Sequence, residues 1–291
     1  MTLAAVCAYF NPCGYESRRR NYDAFRRSIE NSGVGLLTIE LIFDSESPSR
    51  LGAHGNVVTI RGGDVMWQKE RLLQIGIDIL LAHGHTAIAW LDADIVFENK
   101  MWHEEVLRAL ERFDYVQTFD QLVSHYPEGQ LVRAGAAKDH RSWAHGGGWA
   151  GTGDFWQRFK LYQHCILGGG DTVMANVVFQ LSESTKHIFR WPDENIVLRQ
   201  FNKAMQEHVT TGAHDSCAGW RVGYVAEQTA HLLPHGHRRR RYHVERWQAL
   251  KNYDPRTDIQ IADSGAFRWS TDKPLLHRSV RGYFAARRED E

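Results

Sequence analysis

Two carboxylates follow an apolar run in this chain: Ala87 to Leu91 reads AIAWL, Asp92-Ala93-Asp94 comes next, and Ile95-Val96-Phe97 is apolar again. Like charges this close repel and shift each other's pKa unless a cation lies between them. Two hard oxygen ligands suit Mn2+ or Mg2+, held together with the phosphates of a substrate. Such an ion neutralises charge on a departing diphosphate. A solvated strand terminus is the plainer alternative. Three histidines, His231, His235 and His237, are further candidates for a metal. Arg18-Arg19-Arg20 and Arg238 to Arg241 are dense basic runs, either solvated faces or seats for a polyanion or diphosphate. Glycines cluster with aromatic residues in HGGGWAGTGDFW (145–156) and LGGGD (167–171). There the backbone approaches a ligand closely or simply turns.

The elements around these residues alternate. Leu3 to Phe10 reads as a strand, and Asn11-Pro12-Cys13-Gly14 ends it with turn chemistry. Arg20 to Glu30 carries Tyr22, Phe25 and Ile29 at helical spacing. Leu36 to Phe43 and Val57 to Arg61 read as strands, and Trp67 to Leu81 as a helix with Leu72, Leu73, Ile75, Ile79 and Leu80 apolar. Ala87 to Leu91 is a strand, Trp102 to Phe113 a helix and Tyr115 to Phe119 a strand. This alternation predicts an α/β fold with a largely parallel sheet flanked by helices. Such sheets bind ligands at the carboxyl ends of their strands, where Asp92 and Asp94 fall. The second half is less regular, and no linker rich in Pro or Ser cuts the chain. One domain over 1–291 is expected, with a nucleotide half over about 1–120 and an acceptor half over about 121–291.

Composition narrows the classes. The 291 residues are 43% hydrophobic, enough for a substantial core and against a disordered chain. Lys plus Arg and Asp plus Glu both number 35, so whole-molecule attraction to nucleic acid or membrane is not indicated. The four cysteines, Cys7, Cys13, Cys165 and Cys217, form no CxxC pair or zinc spacing. No apolar run approaches the ~20 residues needed to span a bilayer, and the N-terminus lacks a signal pattern. A soluble cytoplasmic protein without an obligate protein partner is expected.

Several stretches together resemble a known family: CAYFNP (7–12), VMWQKERLLQIGI (65–77), WLDAD (90–94), GGGD (168–171), LPHGHRRRRYHVER (233–246) and RWSTDKPLLHRSVRGYFAARRED (268–290). In this order they resemble glycosyltransferases of the GT-A fold, galactosyltransferase-like and of a type found in bacteria and bacteriophages. The resemblance implies a Rossmann-like GT-A domain and metal-dependent transfer of a sugar from a nucleoside diphosphate, UDP above all, to an acceptor hydroxyl with inversion. It places Tyr9, Phe10 and Asn11 under the nucleotide base, and Lys69 and Arg71 on the diphosphate or base. Gln74 stands where the family often has Asn. Asp94 becomes a ligand of Mn2+ or Mg2+, and Asp92 a second ligand or a contact to ribose or to a metal-bound water. His235 supplies an imidazole to the ion, and Arg240, Arg241 and Tyr242 close on the phosphates. Asp171 falls where the family carries the catalytic base, which takes the acceptor's proton; Asp154 is the rival, and both precede helix-like stretches that either could cap. Trp149 and Trp156 are a platform for a sugar ring or core residues. The acceptor is left open among a glycan, a lipid-linked sugar, a protein and a hydroxymethylated base in phage DNA. Two other classes compete: a non-catalytic nucleotide- or nucleic-acid-binding module of the same fold, and a metal-dependent nucleotidyltransferase or phosphohydrolase.

Overall fold

The computed structural model describes residues 1–44, 46–52, 56–142, 144–181, 219–241, 245–250 and 252–291. Cys217, Tyr242 and the side chain of Arg241 lie outside the described residues. The first half alternates as expected apart from an added short strand, β5: β1 (Leu3–Phe10), α1 (Glu16–Asn31), β2 (Gly35–Ile42), β3 (Val57–Arg61), α2 (Lys69–Ala82), β4 (Ala87–Leu91), β5 (Ile95–Phe97), α3 (Trp102–Leu110) and β6 (Tyr115–Gln117). Then follow β7 (Gln121–Tyr126), β8 (Gly129–Ala134), β9 (Gly148–Thr152), α4 (Gly153–Arg158), α5 (Gly170–Leu181), β10 (Val222–Tyr224), β11 (Thr229–Leu232), β12 (Ile259–Ile261), β13 (Phe267–Trp269) and α6 (Pro274–Ala286).

The main sheet has seven strands in the order β3-β2-β1-β4-β9-β6-β10. Its pairings are parallel except those of β9, which runs antiparallel between β4 and β6. The fold is therefore α/β with a mostly parallel sheet flanked by helices. Strand β1 explains how both faces are covered. Its alternate residues Ala4, Val6 and Phe10 join a core with Leu72, Leu73, Ile77 and Leu80 of α2. Ala5, Cys7 and Tyr9 point the other way, to Tyr22, Phe25 and Ile29 of α1 and Trp102, Val106 and Leu110 of α3. On the first face α2 lies very close to β1, because a Cβ at Gly76 would collide with Cγ2 of Val6.

A second sheet, β5-β11-β7-β8, begins directly after Asp94. β11 runs antiparallel to β5 with Leu232 opposite Ile95. This register returns the chain to the start of β5, and the Leu233 N–H donates to the Asp94 carbonyl at 2.8 Å. No helix among the described residues is long and apolar enough to cross a membrane.

Candidate active site

The carboxyl ends of β1 and β4 define the edge where the site forms. β4 is buried throughout, and Asp92 is the first residue past it. Antiparallel β9 pairs Gly148 with Leu91 and Thr152 with Ala87, so the chain entering β9 arrives at the same edge. There the backbone N–H of Gly147 donates to Asp92 Oδ2 at 3.0 Å. The other oxygen, Oδ1, accepts from Lys69 Nζ at 2.7 Å. Lys69 is the first residue of α2, and its ammonium also lies 4.9 Å from the centre of the Trp90 ring.

Asp171, near the start of α5, joins this pair. A Cβ built on Gly146 would stand 2.5 Å from Asp171 Oδ2 and 3.3 Å from Asp92 Oδ2, so both carboxylates converge on one glycine. Burial would lower the Lys69 pKa, but the charges of Asp92, Asp171 and Glu70 outweigh it and hold the pKa well above the ordinary lysine value. Burial would likewise raise the Asp171 pKa; the Lys69 ammonium, the nearby His145 and the Thr172 N–H at 2.8 Å bring it below the usual carboxylate value. Asp171 is thus ionised at neutral pH and able to accept a proton. His145 is buried, and burial lowers its pKa against the pull of Asp171. Its Nδ1 lies 3.2 Å from Thr172 Oγ1.

The second pair on this edge is Asp94 with His235. His235 Nδ1 stands 3.1 Å from Asp94 Oδ2 and 3.0 Å from the Leu233 carbonyl. With two oxygens beside it, Nδ1 carries the proton in the neutral ring, and an ion held by Asp94 and His235 together would take that proton's place. His231 instead meets His125 at 3.0 Å, and His237 meets Glu128 at 3.0 Å. Among the described residues no group of three or more His, Cys, Asp or Glu is arranged to hold a metal ion. The donors fit a divalent ion only in part: Asp94 and His235 lie together, while both oxygens of Asp92 already accept hydrogen bonds.

The other residues singled out from the sequence have these places. Asp154 is exposed at the opposite sheet edge, two residues beyond Thr152, so Asp171 and not Asp154 stands beside Asp92. Thr152, not Asp154, caps α4, accepting the Phe155 N–H at 3.2 Å. Trp149 stacks on Tyr115 with ring centres 4.8 Å apart, and the Trp156 indole donates to the Ile88 carbonyl at 2.9 Å; both are core residues, not a sugar platform. Tyr9 is buried against Tyr22, and Phe10 is packed edge-on to Trp67 at 5.3 Å. Asn11 clasps the turn before α1, accepting the Tyr15 N–H at 2.9 Å and donating to the Tyr15 carbonyl at 2.8 Å. Arg71, two positions after Lys69, points away from it to the β12–β13 hairpin and donates to the Gly265 carbonyl at 2.6 Å. Gln74 accepts the Leu161 N–H at 2.9 Å. Arg240 pairs with Glu291, and of the first basic run Arg18 pairs with Glu289 and Arg19 with Asp23 at 2.6 Å.

Sequence reading missed two kinds of residue here. Arg246 donates to the Leu167 carbonyl at 3.1 Å and its charge acts on Asp171. Glu70, the neighbour of Lys69, is 2% exposed, and neither of its oxygens has a side-chain or ordinary backbone partner. Only its own N–H leans on it. An acidic residue in the first turn of a helix reads as a favourable dipole contact, so nothing in the pattern marked it.

Comparison with known proteins adds likeness without assignment. No protein-family model matches the chain, and no curated protein matches it in sequence. Among solved structures, the catalytic domain of Drosophila β1,4-galactosyltransferase 7 in complex with xylobiose is 12% identical, with 95% of this chain and 99% of that chain covered and a TM-score of 0.40. A variant of that enzyme in complex with manganese, UDP-Gal and xylobiose is 11% identical over 95% and 99%, with a TM-score of 0.39. Mannose-1-phosphate geranyltransferase from Thermus thermophilus is 13% identical over 77% and 74%, with a TM-score of 0.36. Likeness this distant assigns no family.

Proposed function

We propose that this chain is a GT-A-type glycosyltransferase that moves a sugar from a nucleoside diphosphate to an acceptor hydroxyl with inversion. One observation carries the reading: Asp171 and Asp92 converge on Gly146 at the carboxyl edge of the parallel sheet, with the Lys69 ammonium beside them. In the proposed reaction the acceptor oxygen attacks the anomeric carbon, the bond from that carbon to the diphosphate oxygen breaks, and the acceptor's proton passes to Asp171. Lys69 stabilises negative charge at the same edge. Asp94 and His235 would hold Mn2+ or Mg2+, which when bound supplies charge neutralisation on the diphosphate. Two protein donors suit an ion that arrives with phosphate ligands better than a resident one.

The acceptor we favour is a carbohydrate hydroxyl. Arg18, Arg19 and Arg240, drawn from both basic runs, are engaged by acidic groups of the chain itself, which leaves less charge for a polyanion. A panel of nucleotide sugars with Mn2+, simple glycosides and plain or hydroxymethylated duplex DNA tests this. The expected products are a nucleoside diphosphate and a glycosylated sugar. Release of a nucleoside monophosphate would point to nucleotidyl transfer, and tight binding without turnover to a binding module. Transfer to hydroxymethylated duplex, with affinity falling steeply as salt rises, would make DNA the acceptor.

A further inference from the structure

Glu70 is a buried acid at this edge that the proposed reaction does not use. Its carboxyl is buried, without an ordinary hydrogen-bond partner, and pressed against the start of α5: a Cβ at Gly170 would collide with it, standing 2.6 Å from Cγ. A bare glycine at 170 is what gives the carboxyl room. A buried carboxylate held only by its own backbone N–H is costly, whereas the neutral acid is far less so. The charged and titratable groups acting here are Lys69 on its own helix, Asp171 on α5, Asp92 after β4, and Cys165 in the loop before α5, with Arg246 acting on Asp171 and Cys165.

We infer that Glu70 is a positioning residue that keeps a proton beside Asp171 and so sets the charge of the Lys69–Asp92–Asp171 group. This rests on the glycosyltransferase reading only in what that charge is for. With Glu70 neutral, one ammonium serves two carboxylates. With Glu70 ionised, three carboxylates surround it where an anionic diphosphate must approach, and Asp171 becomes more basic. Burial first, with Asp171 and Asp92 adding to it against Lys69, pushes the Glu70 pKa up to about 7, so the change falls near neutral pH.

Carboxyl NMR on protein carrying 13C-labelled Asp and Glu reads this without any ligand, with Glu70→Gln and Asp171→Asn assigning the two signals. Glu70 should titrate near neutral pH, and Asp171 should show an inflection at the same pH that vanishes in Glu70→Gln. Should that variant not fold, coincidence of the two inflections in the wild type decides the matter. Nucleoside diphosphate affinity should fall about tenfold as pH rises through the Glu70 titration, and the variant should lack that fall. A Glu70 already ionised at pH 5 overturns the inference. So does an Asp171 signal that ignores the Glu70 titration, which would leave Glu70 a packing residue. Failure to bind any nucleoside diphosphate would count against the glycosyltransferase reading alone, since the ligand-free titration still decides the role of Glu70.

Discussion

At the scale of single residues, the two like charges take different partners, Asp92 the chain's own ammonium and Asp94 an imidazole. Lys69 holds Asp92 at 2.7 Å, and the Gly147 N–H takes its other oxygen. Asp94 is left to work with His235. In the proposed reaction this division would give a diphosphate two separate sources of affinity. Asp94→Ala should abolish the gain in nucleoside diphosphate affinity that Mn2+ provides, on the order of 10- to 100-fold, and leave the metal-free affinity near that of the wild type. Calorimetry with Mn2+ and with chelator measures both. An unchanged gain from Mn2+ in the variant would remove Asp94 from the ion's seat. Asp92, Asp94 and Asp171 could be singled out in the sequence because each follows a recognisable signal, an apolar run or a glycine run. Glu70 was not, because a helix-start acid looks the same whether solvated or buried. Trp149 and Trp156 carried no sign of which way they face.

At the scale of elements, α2 matters most, since it delivers both Lys69 and Glu70. Its distance from the sheet depends on Gly76, which faces Val6 of β1 and Ile39 of β2. Gly76→Ala raises helix propensity by about 1 kcal/mol. The added methyl has no room, and overpacking of a tight interface costs about 1–3 kcal/mol. The variant should therefore be no more stable than the wild type and as much as about 2 kcal/mol less stable. Denaturant midpoints measure this, and a clear gain in stability would show that the helix can shift outward. The bounds of β1, β3 and β4 were legible because apolar runs there meet clear turn residues. Strand β9 was not: GWAGT is glycine-rich and reads as turn, yet it is inserted antiparallel between β4 and β6 and turns HGGG toward Asp92. The β5-β11-β7-β8 sheet escaped notice for a related reason, since its pairings join segments far apart in sequence and leave no local period.

At the scale of the whole molecule, the last residues close the structure over the first helix. Asp290 accepts the backbone N–H groups of Glu16 and Ser17 at 3.0 and 2.7 Å, capping α1 from the far end of the described chain. Glu289 is buried between Arg18 and Arg287, and Gly236, at φ +69°, packs against the backbone of Glu289. Burial would raise the Glu289 pKa, but the two guanidinium groups hold it far below the usual range. The wall that carries His235 thus leans on the tail, and Arg18, which resembled part of a polyanion site, is a strut of that wall. What this architecture presents at its open sheet edge is an ionised Asp171, whose role as the base is the centre of the proposed reaction. Asp171→Asn keeps the shape and cannot take the proton. With the donor identified by the nucleotide-sugar panel, direct binding and single-turnover transfer should be measured together for this variant. Donor affinity should stay close to that of the wild type, with transfer slowed ~10²- to 10⁴-fold. Transfer at near wild-type rate in Asp171→Asn would contradict that role.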